Sequence, residues 1–142
     1  MNLASVKYEN KTYDVLDGPF LLCEKLKTAT FESGTTQIAE YLFAGATHLE
    51  EIKIPDTVTV IETAAFEGCL RLNKVEIGNS VTNIWSNAFD TCVSLTEIVL
   101  PDSLTTIGGG AFANCTNLKN VTLSKSLTSL GNQAFAKQQL KR

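Results

Sequence analysis

The four cysteines carry the most reactive side chains of this sequence, and their spacing decides what chemistry they could support. Cys69, Cys92 and Cys115 follow one another at intervals of 23 residues, and Cys23 lies two such intervals before Cys69, with Ala46 at the position between them. A small apolar side chain that recurs at one position of a repeat is typical of a buried, inward-facing row. Zinc requires ligands that converge on one point, which a row along an axis does not provide, so we predict no metal site.

Disulfide bonds are the alternative interpretation of this row, because stacked coils could bring Cys69, Cys92 and Cys115 within bonding separation. Parallel side-chain directions disfavour such bonds. The first residues, Met1 to Glu9, also lack the basic start and apolar middle of a secretory signal, and disulfides form mainly in secreted proteins. We therefore expect buried thiols with a packing role.

The other residues with catalytic potential are isolated. His48 is the only histidine, and we expect it to be a solvated loop residue. It belongs to a polar column that also contains Lys25, Arg71, Ser94 and Asn117. The three glycines at 108–110 lack the Lys-Ser/Thr pair that a phosphate-binding P-loop requires. Because the sequence offers no clear candidate for a nucleophilic triad or a general base, we predict that the chain is not an enzyme and needs no cofactor.

Composition and charge limit the class of protein. The chain has 142 residues, of which 44% are hydrophobic, enough for one domain with a buried core. Its net charge of −3 is too small and of the wrong sign for a nucleic-acid-binding surface. Apolar stretches such as Ile38 to Ala46, which Glu40 interrupts, are shorter than the roughly 20 residues that cross a bilayer. We therefore predict no nucleic-acid partner and no membrane span.

A repeat of 23 residues explains the cysteine row and organises the whole chain. The aromatic column consists of Phe20, Phe43, Phe66, Phe89, Phe112 and Phe135. The leading column consists of Leu3, Leu26, Leu49, Leu72, Leu95 and Leu118. A third column consists of Val15, Ile38, Ile61, Ile84, Ile107 and Leu130. Because no single unit can enclose its own apolar side chains, we predict a solenoid in which equivalent residues stack on one another.

The order of residues within a unit predicts its local structure. After the leading leucine, apolar and polar residues alternate, as from Glu51 to Ile54, which predicts short strands that stack into a parallel sheet. The return segment with its Ala-Phe pair is compatible with extended chain or short helical turns. In the first two units Thr12 and Thr35 replace the valine or leucine of the later units, so these units are interpreted as degenerate copies.

The unit pattern LxxIxLPxxLxxIxxxAFxxC resembles the BspA-like class of leucine-rich repeats, also described as the Treponema pallidum type. The resemblance covers nearly the whole chain and departs from the pattern at Pro19-Phe20, at Leu42-Phe43 and at Gln138, which replaces cysteine. It implies a right-handed leucine-rich-repeat solenoid of the α/β repeat class, with six coils, mostly short parallel strands and short helical turns. We predict one domain over residues 1–142, with units at 3–25, 26–48, 49–71, 72–94, 95–117 and 118–140.

The outward residues of the predicted strands form two columns, which the resemblance places on the concave surface. Their charges alternate in sign between adjacent strands, and such opposite-charge pairs stabilise a sheet modestly. These residues are therefore either part of a binding surface or solvated charges that bind nothing. The residues predicted to contact a partner are Glu51, Lys53, Lys74, Glu76, Glu97, Val99, Asn120 and Thr122. Trp85 is a further candidate, because its column holds Ala39, Glu62, Gly108 and Gly131 elsewhere. It either packs over a turn or serves as an exposed contact.

A curved solenoid without a catalytic centre favours binding of another protein. The resemblance implies an adhesive protein at the cell surface or secreted, whereas the missing secretory signal favours a cytoplasmic location. The alternatives are an intracellular scaffold or regulator, and the repeat portion of a larger protein with a catalytic domain elsewhere. The last unit ends at Leu140 without an evident polar cap, so self-association through the C-terminal end of the solenoid is a further hypothesis.

Overall fold

The computed structural model describes residues 5–8, 11–14 and 26–137 of the chain. Within these residues the regular secondary structure consists of twelve short β-strands, and no helix is found. The strands are β1 (Ser5–Tyr8), β2 (Lys11–Asp14), β3 (Thr28–Ala29), β4 (Gln37–Ile38), β5 (Glu51–Ile54), β6 (Val60–Ile61), β7 (Lys74–Ile77), β8 (Asn83–Ile84), β9 (Glu97–Val99), β10 (Thr106–Ile107), β11 (Asn120–Thr122) and β12 (Ser129–Leu130).

Each unit from residue 26 onward contributes one strand to each of two sides of a parallel solenoid. The second strands form one continuous sheet in the order β12-β10-β8-β6-β4. In this sheet Ile38 pairs with Ile61 and Ile61 with Ile84, always 23 residues apart. The leading strands form two groups, β3-β5-β7 and β9-β11. The constant offset confirms the predicted solenoid, in which equivalent residues lie above one another.

The first of the six predicted units differs from those that follow. β1 pairs with β2 in antiparallel fashion, with Ser5 opposite Asp14, whereas the leading strands β3, β5 and β7 pair in parallel. Only two residues separate β1 from β2, a spacing typical of a β-hairpin. In the first unit Thr12 occupies the position that the buried Val58 holds in the third. The division into six units stays a prediction.

The return segments are turns rather than the short helical turns that we expected. In the described return segments the backbone φ angle is positive at two recurring positions, which interrupts any helix. One position holds Tyr41, Ala64, Asn87, Gly110 and Gln133, and the other holds Gly45, Gly68, Thr91, Asn114 and Lys137. Successive amides consequently point in different directions. Leu42 donates to Ala39 of its own turn at 3.2 Å, whereas Phe43 donates to Ala65 of the next coil at 2.7 Å.

The phenylalanine column forms the centre of the core. From Phe43 to Phe135, neighbouring rings are stacked with centroids 5.0 to 5.2 Å apart and interplanar angles of 2 to 11°. Phe31, which lies outside the column, meets Phe43 edge-on at 6.0 Å. Phe20 lies outside the described residues. Burying the three central rings, which are fully enclosed, contributes about 1.5–3 kcal/mol each, so this stack is a main source of stability.

Candidate functional site: the exposed strand face

All eight residues predicted from the leading strands point outward in the structure. Within β5, for example, Glu51 and Lys53 are exposed while Ile52 and Ile54 are buried, as expected where side chains alternate between two faces. The outward residues of β7, β9 and β11 are exposed in the same way. We refer to the surface formed by these eight residues as the strand face.

The charges of the strand face alternate across the paired strands. Glu51 lies beside Lys74, and Lys53 lies beside Glu76, in the register of β5 and β7. The ion pair found among the described residues does not join two strands. It lies within β7, with Lys74 Nζ 3.6 Å from Glu76 Oε1. Their side chains are 61% and 54% exposed, so this pair contributes little to stability and can exchange partners.

Three cavities open on the strand face and share Glu76 among their lining residues. One of about 260 Å³ lies over β3 and β5, and one of about 410 Å³ lies beside the turns that follow β5 and β7. The third, of about 360 Å³, lies between β7 and β9. Glu76 therefore borders all three cavities, and each of them is lined by one further carboxylate, from Glu51, Asp56 or Glu97.

The ladder of leading strands is interrupted between β7 and β9. β5 pairs with β7 over four residues and β9 pairs with β11 over three, but no pairing joins β7 to β9. Just before β7, the Asn73 amide donates to the Glu50 carbonyl at 2.9 Å. Just before β11, the Lys119 amide donates to Thr96 at 2.9 Å. In the described part of the chain, the Thr96 amide makes no equivalent bond to Asn73.

The residue that follows each leading strand differs from one coil to the next. A Cβ atom at Gly78 would lie 2.5 Å from the Pro55 carbonyl oxygen, so glycine is needed for β7 to lie so close to β5. Pro101 occupies the same position after β9, and Ser124 occupies it after β11. Because β9 pairs with β11 over three residues although Ser124 carries a Cβ, this position alone does not determine where the ladder is interrupted.

The C-terminal part of the strand face has a different character. Val99 is 62% exposed and carries no charge. Leu123 belongs to a column that is inward-facing in other units, yet it is 55% exposed because no described coil covers it. A cavity of about 460 Å³ at this end is lined by Leu123, Leu130 and Phe135, among others. This end is therefore apolar and accessible in the described part of the chain.

Trp85 lies apart from the strand face. It follows β8 in the second sheet, and 38% of its surface is exposed, so its packing over a turn and its role as a contact both stay predictions. A second exposed aromatic, Tyr41, at 49%, was not among the predicted contact residues. Tyr41 stands where Ala64 and Asn87 occur in the next units, and this departure from small residues was the signal available.

The described cysteines form the buried row that their spacing predicts. Cys69, Cys92 and Cys115 are free thiols, and each Sγ donates a hydrogen bond to a phenylalanine carbonyl 26 residues earlier, at 3.1 to 3.2 Å. Burial raises the pKa of Cys115 from 9.0 to about 12 and that of Cys92 well above its ordinary value. A thiol that stays protonated is a poor nucleophile, so the row packs rather than reacts. Cys23 lies outside the described residues.

His48 lies in a turn, partly exposed, with Nδ1 3.3 Å from the Thr47 hydroxyl. Among the residues that the structure describes, no three histidine, cysteine or carboxylate side chains are grouped so that they could hold a metal ion. A search of the same residues finds no helix with the length and apolar character needed to traverse a bilayer.

The comparison with known proteins agrees with this architecture. The family described as BspA type leucine rich repeat region matches residues 36–142, in 6 copies. A leucine-rich repeat protein of T. pallidum is 35% identical, with a TM-score of 0.71 over 72% of this chain and 48% of that one. One from Bacteroides ovatus is 28% identical, with a TM-score of 0.54 over 94% of this chain and 35% of that one.

A leucine rich cell surface protein from Faecalibacterium prausnitzii shares the fold at 24% identity, with a TM-score of 0.54 over 96% of this chain and 38% of that one. No curated protein sequence matches the chain. The chain spans less than half the length of each of these three solved structures. Solenoids of this class generally serve as scaffolds for binding other proteins. With the unit pattern, the parallel stacking and the match to residues 36–142 in agreement, the chain belongs to the BspA type leucine-rich repeat family.

Proposed function

We propose that the chain is a non-enzymatic module that binds another protein through its strand face. The observation that carries this proposal is the meeting of three cavities around Glu76, on the face where the solenoid presents exposed side chains from every leading strand. Concave surfaces of stacked repeats are the usual binding surfaces of such folds. The strand face is polar at its centre and apolar toward Val99, a mixture typical of protein interfaces.

The adhesive form of this function is the one that the family favours, with a matrix or surface protein as the partner. An intracellular scaffold is the alternative, and the repeat portion of a larger enzyme is another. The binding experiment therefore uses two sets of immobilised proteins, one of purified extracellular-matrix proteins and one of cytosolic proteins from the source cells. Saturable binding to the first set alone supports adhesion, whereas binding to the second set alone supports the scaffold.

Charge reversal at Glu76 tests whether the strand face makes the contact. Glu76→Lys should weaken binding about tenfold, equivalent to about 1.4 kcal/mol, because it places like charges beside Lys53 and Lys74. Glu40→Lys is the matched control, since Glu40 is exposed but lies in a turn after β4. Equal losses in the two variants, or a loss in Glu40→Lys alone, would place the interface elsewhere.

Self-association is a second candidate function, favoured by the apolar end described above. Leu123 and Leu130 are exposed there, and β11 and β12 lack a further described strand on their outer sides. Open strand edges with apolar neighbours pair readily with another chain. Sedimentation velocity should show a concentration-dependent dimer that Leu130→Lys abolishes and Leu70→Lys preserves, because Leu70 is also an exposed leucine but lies in the third predicted unit, away from this end. A strict monomer at every concentration would refute self-association.

A further inference from the structure

The interruption between β7 and β9 forms a cleft within the strand face. We propose that this cleft receives a basic side chain, arginine or lysine, from the protein partner. The proposal rests on the proposed function, since it names the chemistry by which the strand face would recognise a partner. It goes beyond that function because it predicts one particular contact and one type of side chain.

The width of the cleft selects a side chain rather than a strand. The Cα atoms of β7 and β9 come within 8 Å of one another. A strand inserted between two others needs about 9.5 Å, twice the usual spacing of hydrogen-bonded strands. The cavity of about 360 Å³ lies near the lower end of the range for small-ligand pockets. A single extended side chain fits this space, and an added strand does not.

The floor and the rim of the cleft differ in polarity. Val75 and Ile77 line the cavity from β7 and are only partly buried, whereas the equivalent residues of β5 are buried. The rim carries the carboxylates of Glu76 and Glu97 on its two sides. An apolar floor beneath a charged rim suits the long aliphatic stem and charged head of arginine or lysine, which bury the stem and keep the head at the surface.

The charges that line the cleft favour a cation over an anion. They are two carboxylates, Glu76 and Glu97, and one ammonium group, Lys74. Lys74 already lies 3.6 Å from Glu76, which leaves Glu97 as the uncompensated charge. An incoming cation meets this carboxylate, whereas an incoming anion would meet a net negative rim.

Backbone groups add to the recognition. In an unbroken sheet, half of the β7 carbonyl groups would accept hydrogen bonds from β9. No such ladder is formed here, so these carbonyl groups border the cleft. Guanidinium and ammonium groups are pure donors, and they match carbonyl and carboxylate acceptors together.

Titration with a minimal probe tests this inference without the natural partner. Acetyl-arginine amide, added to the ¹⁵N-labelled full chain, should produce saturable shifts centred on the amides of Thr96, Glu97 and Val75. Acetyl-citrulline amide has nearly the same shape without the charge, and it should bind at least about fivefold more weakly. Glu97→Gln should weaken binding of the arginine probe by a similar factor, as expected for loss of an exposed charge pair.

Glu40→Gln provides the matched control, because Glu40 is exposed but lies outside the strand face, in a turn after β4. It should leave binding of the probe within about twofold of wild type. The inference is overturned if the probe causes no saturable shift, if citrulline binds equally well, or if the two glutamate variants behave alike. These outcomes test the cleft alone. If binding of the protein partner survives Glu97→Gln but not Glu76→Lys, the inference about the cleft is wrong while the proposed function of the strand face still holds.

Discussion

The two sides of this solenoid differ at the boundary between the units 72–94 and 95–117. On the core side, the rings of Phe89 and Phe112 remain 5.1 Å apart, and β8 pairs with β10 in the same register as elsewhere. On the leading-strand side, β7 and β9 do not pair at all. Stacking of the buried columns therefore continues between successive coils even where the strand ladder is absent.

The two sides differ in how closely their residue types repeat from one unit to the next. Buried columns repeat one residue type, as with phenylalanine and cysteine, because each side chain must fill the same space against an identical neighbour. The position after the leading strand changes from Pro55 to Gly78, Pro101 and Ser124. The stacked rings keep the same spacing across these changes, so the variation does not disturb the core.

The largest expected effect is on the core side. Phe89→Ala should lower the free energy of unfolding by about 3–5 kcal/mol, because it opens a cavity between two stacked rings. Phe135→Ala is the comparison variant, since Phe135 is only partly buried at the end of the stack, and it should cost clearly less. Urea denaturation followed by circular dichroism measures both. Equal costs would mean that the stack does not concentrate stability at its centre.

Much of this core side was predictable from the sequence, whereas the opening on the strand side was not. The column from Phe43 to Phe135 and the strands around Ile52 and Ile98 follow from period and alternation alone. Which neighbouring strands pair depends on contacts between coils, such as that of Gly78 with the Pro55 carbonyl group, and no pattern within one unit reveals such contacts. The left-handed residues at Tyr41 and Ala64 also escaped prediction, because neither residue type favours that conformation.

A second large effect concerns the buried thiols and pH. Because burial raises the pKa of Cys115 to about 12 in the folded chain, the unfolded chain releases this proton at lower pH than the folded one. The thiol's contribution to stability is therefore complete below about pH 9 and is lost as the pH rises toward about 12. Cys115→Ala should show a shallower loss of unfolding free energy between pH 8.5 and 11, in urea titrations at each pH. Parallel curves for the two proteins would mean that this thiol does not contribute.

An intermediate effect concerns the close approach of β7 to β5. Gly78→Ala should cost about 1–3 kcal/mol, typical of overpacking, because the new Cβ would meet backbone atoms of Pro55. Gly109→Ala is the matched control, since its Cβ would lie 3.4 Å from the nearest atom, the Asn132 carbonyl oxygen. Thermal unfolding compares the two. A cost at Gly78 no larger than at Gly109 would remove the close approach as the reason why β5 and β7 pair fully.

The smallest effect is expected on the strand face itself. Lys74→Gln removes the ion pair with Glu76, but both side chains are more than half exposed, so unfolding should become easier by at most about 1 kcal/mol. The difference should shrink further in 1 M salt, where charges at the surface are screened. Lys119→Gln, at an exposed lysine outside this pair, provides the reference in the same urea titrations. A cost comparable to that of Phe89→Ala would mean that the strand side constrains the coils as strongly as the core.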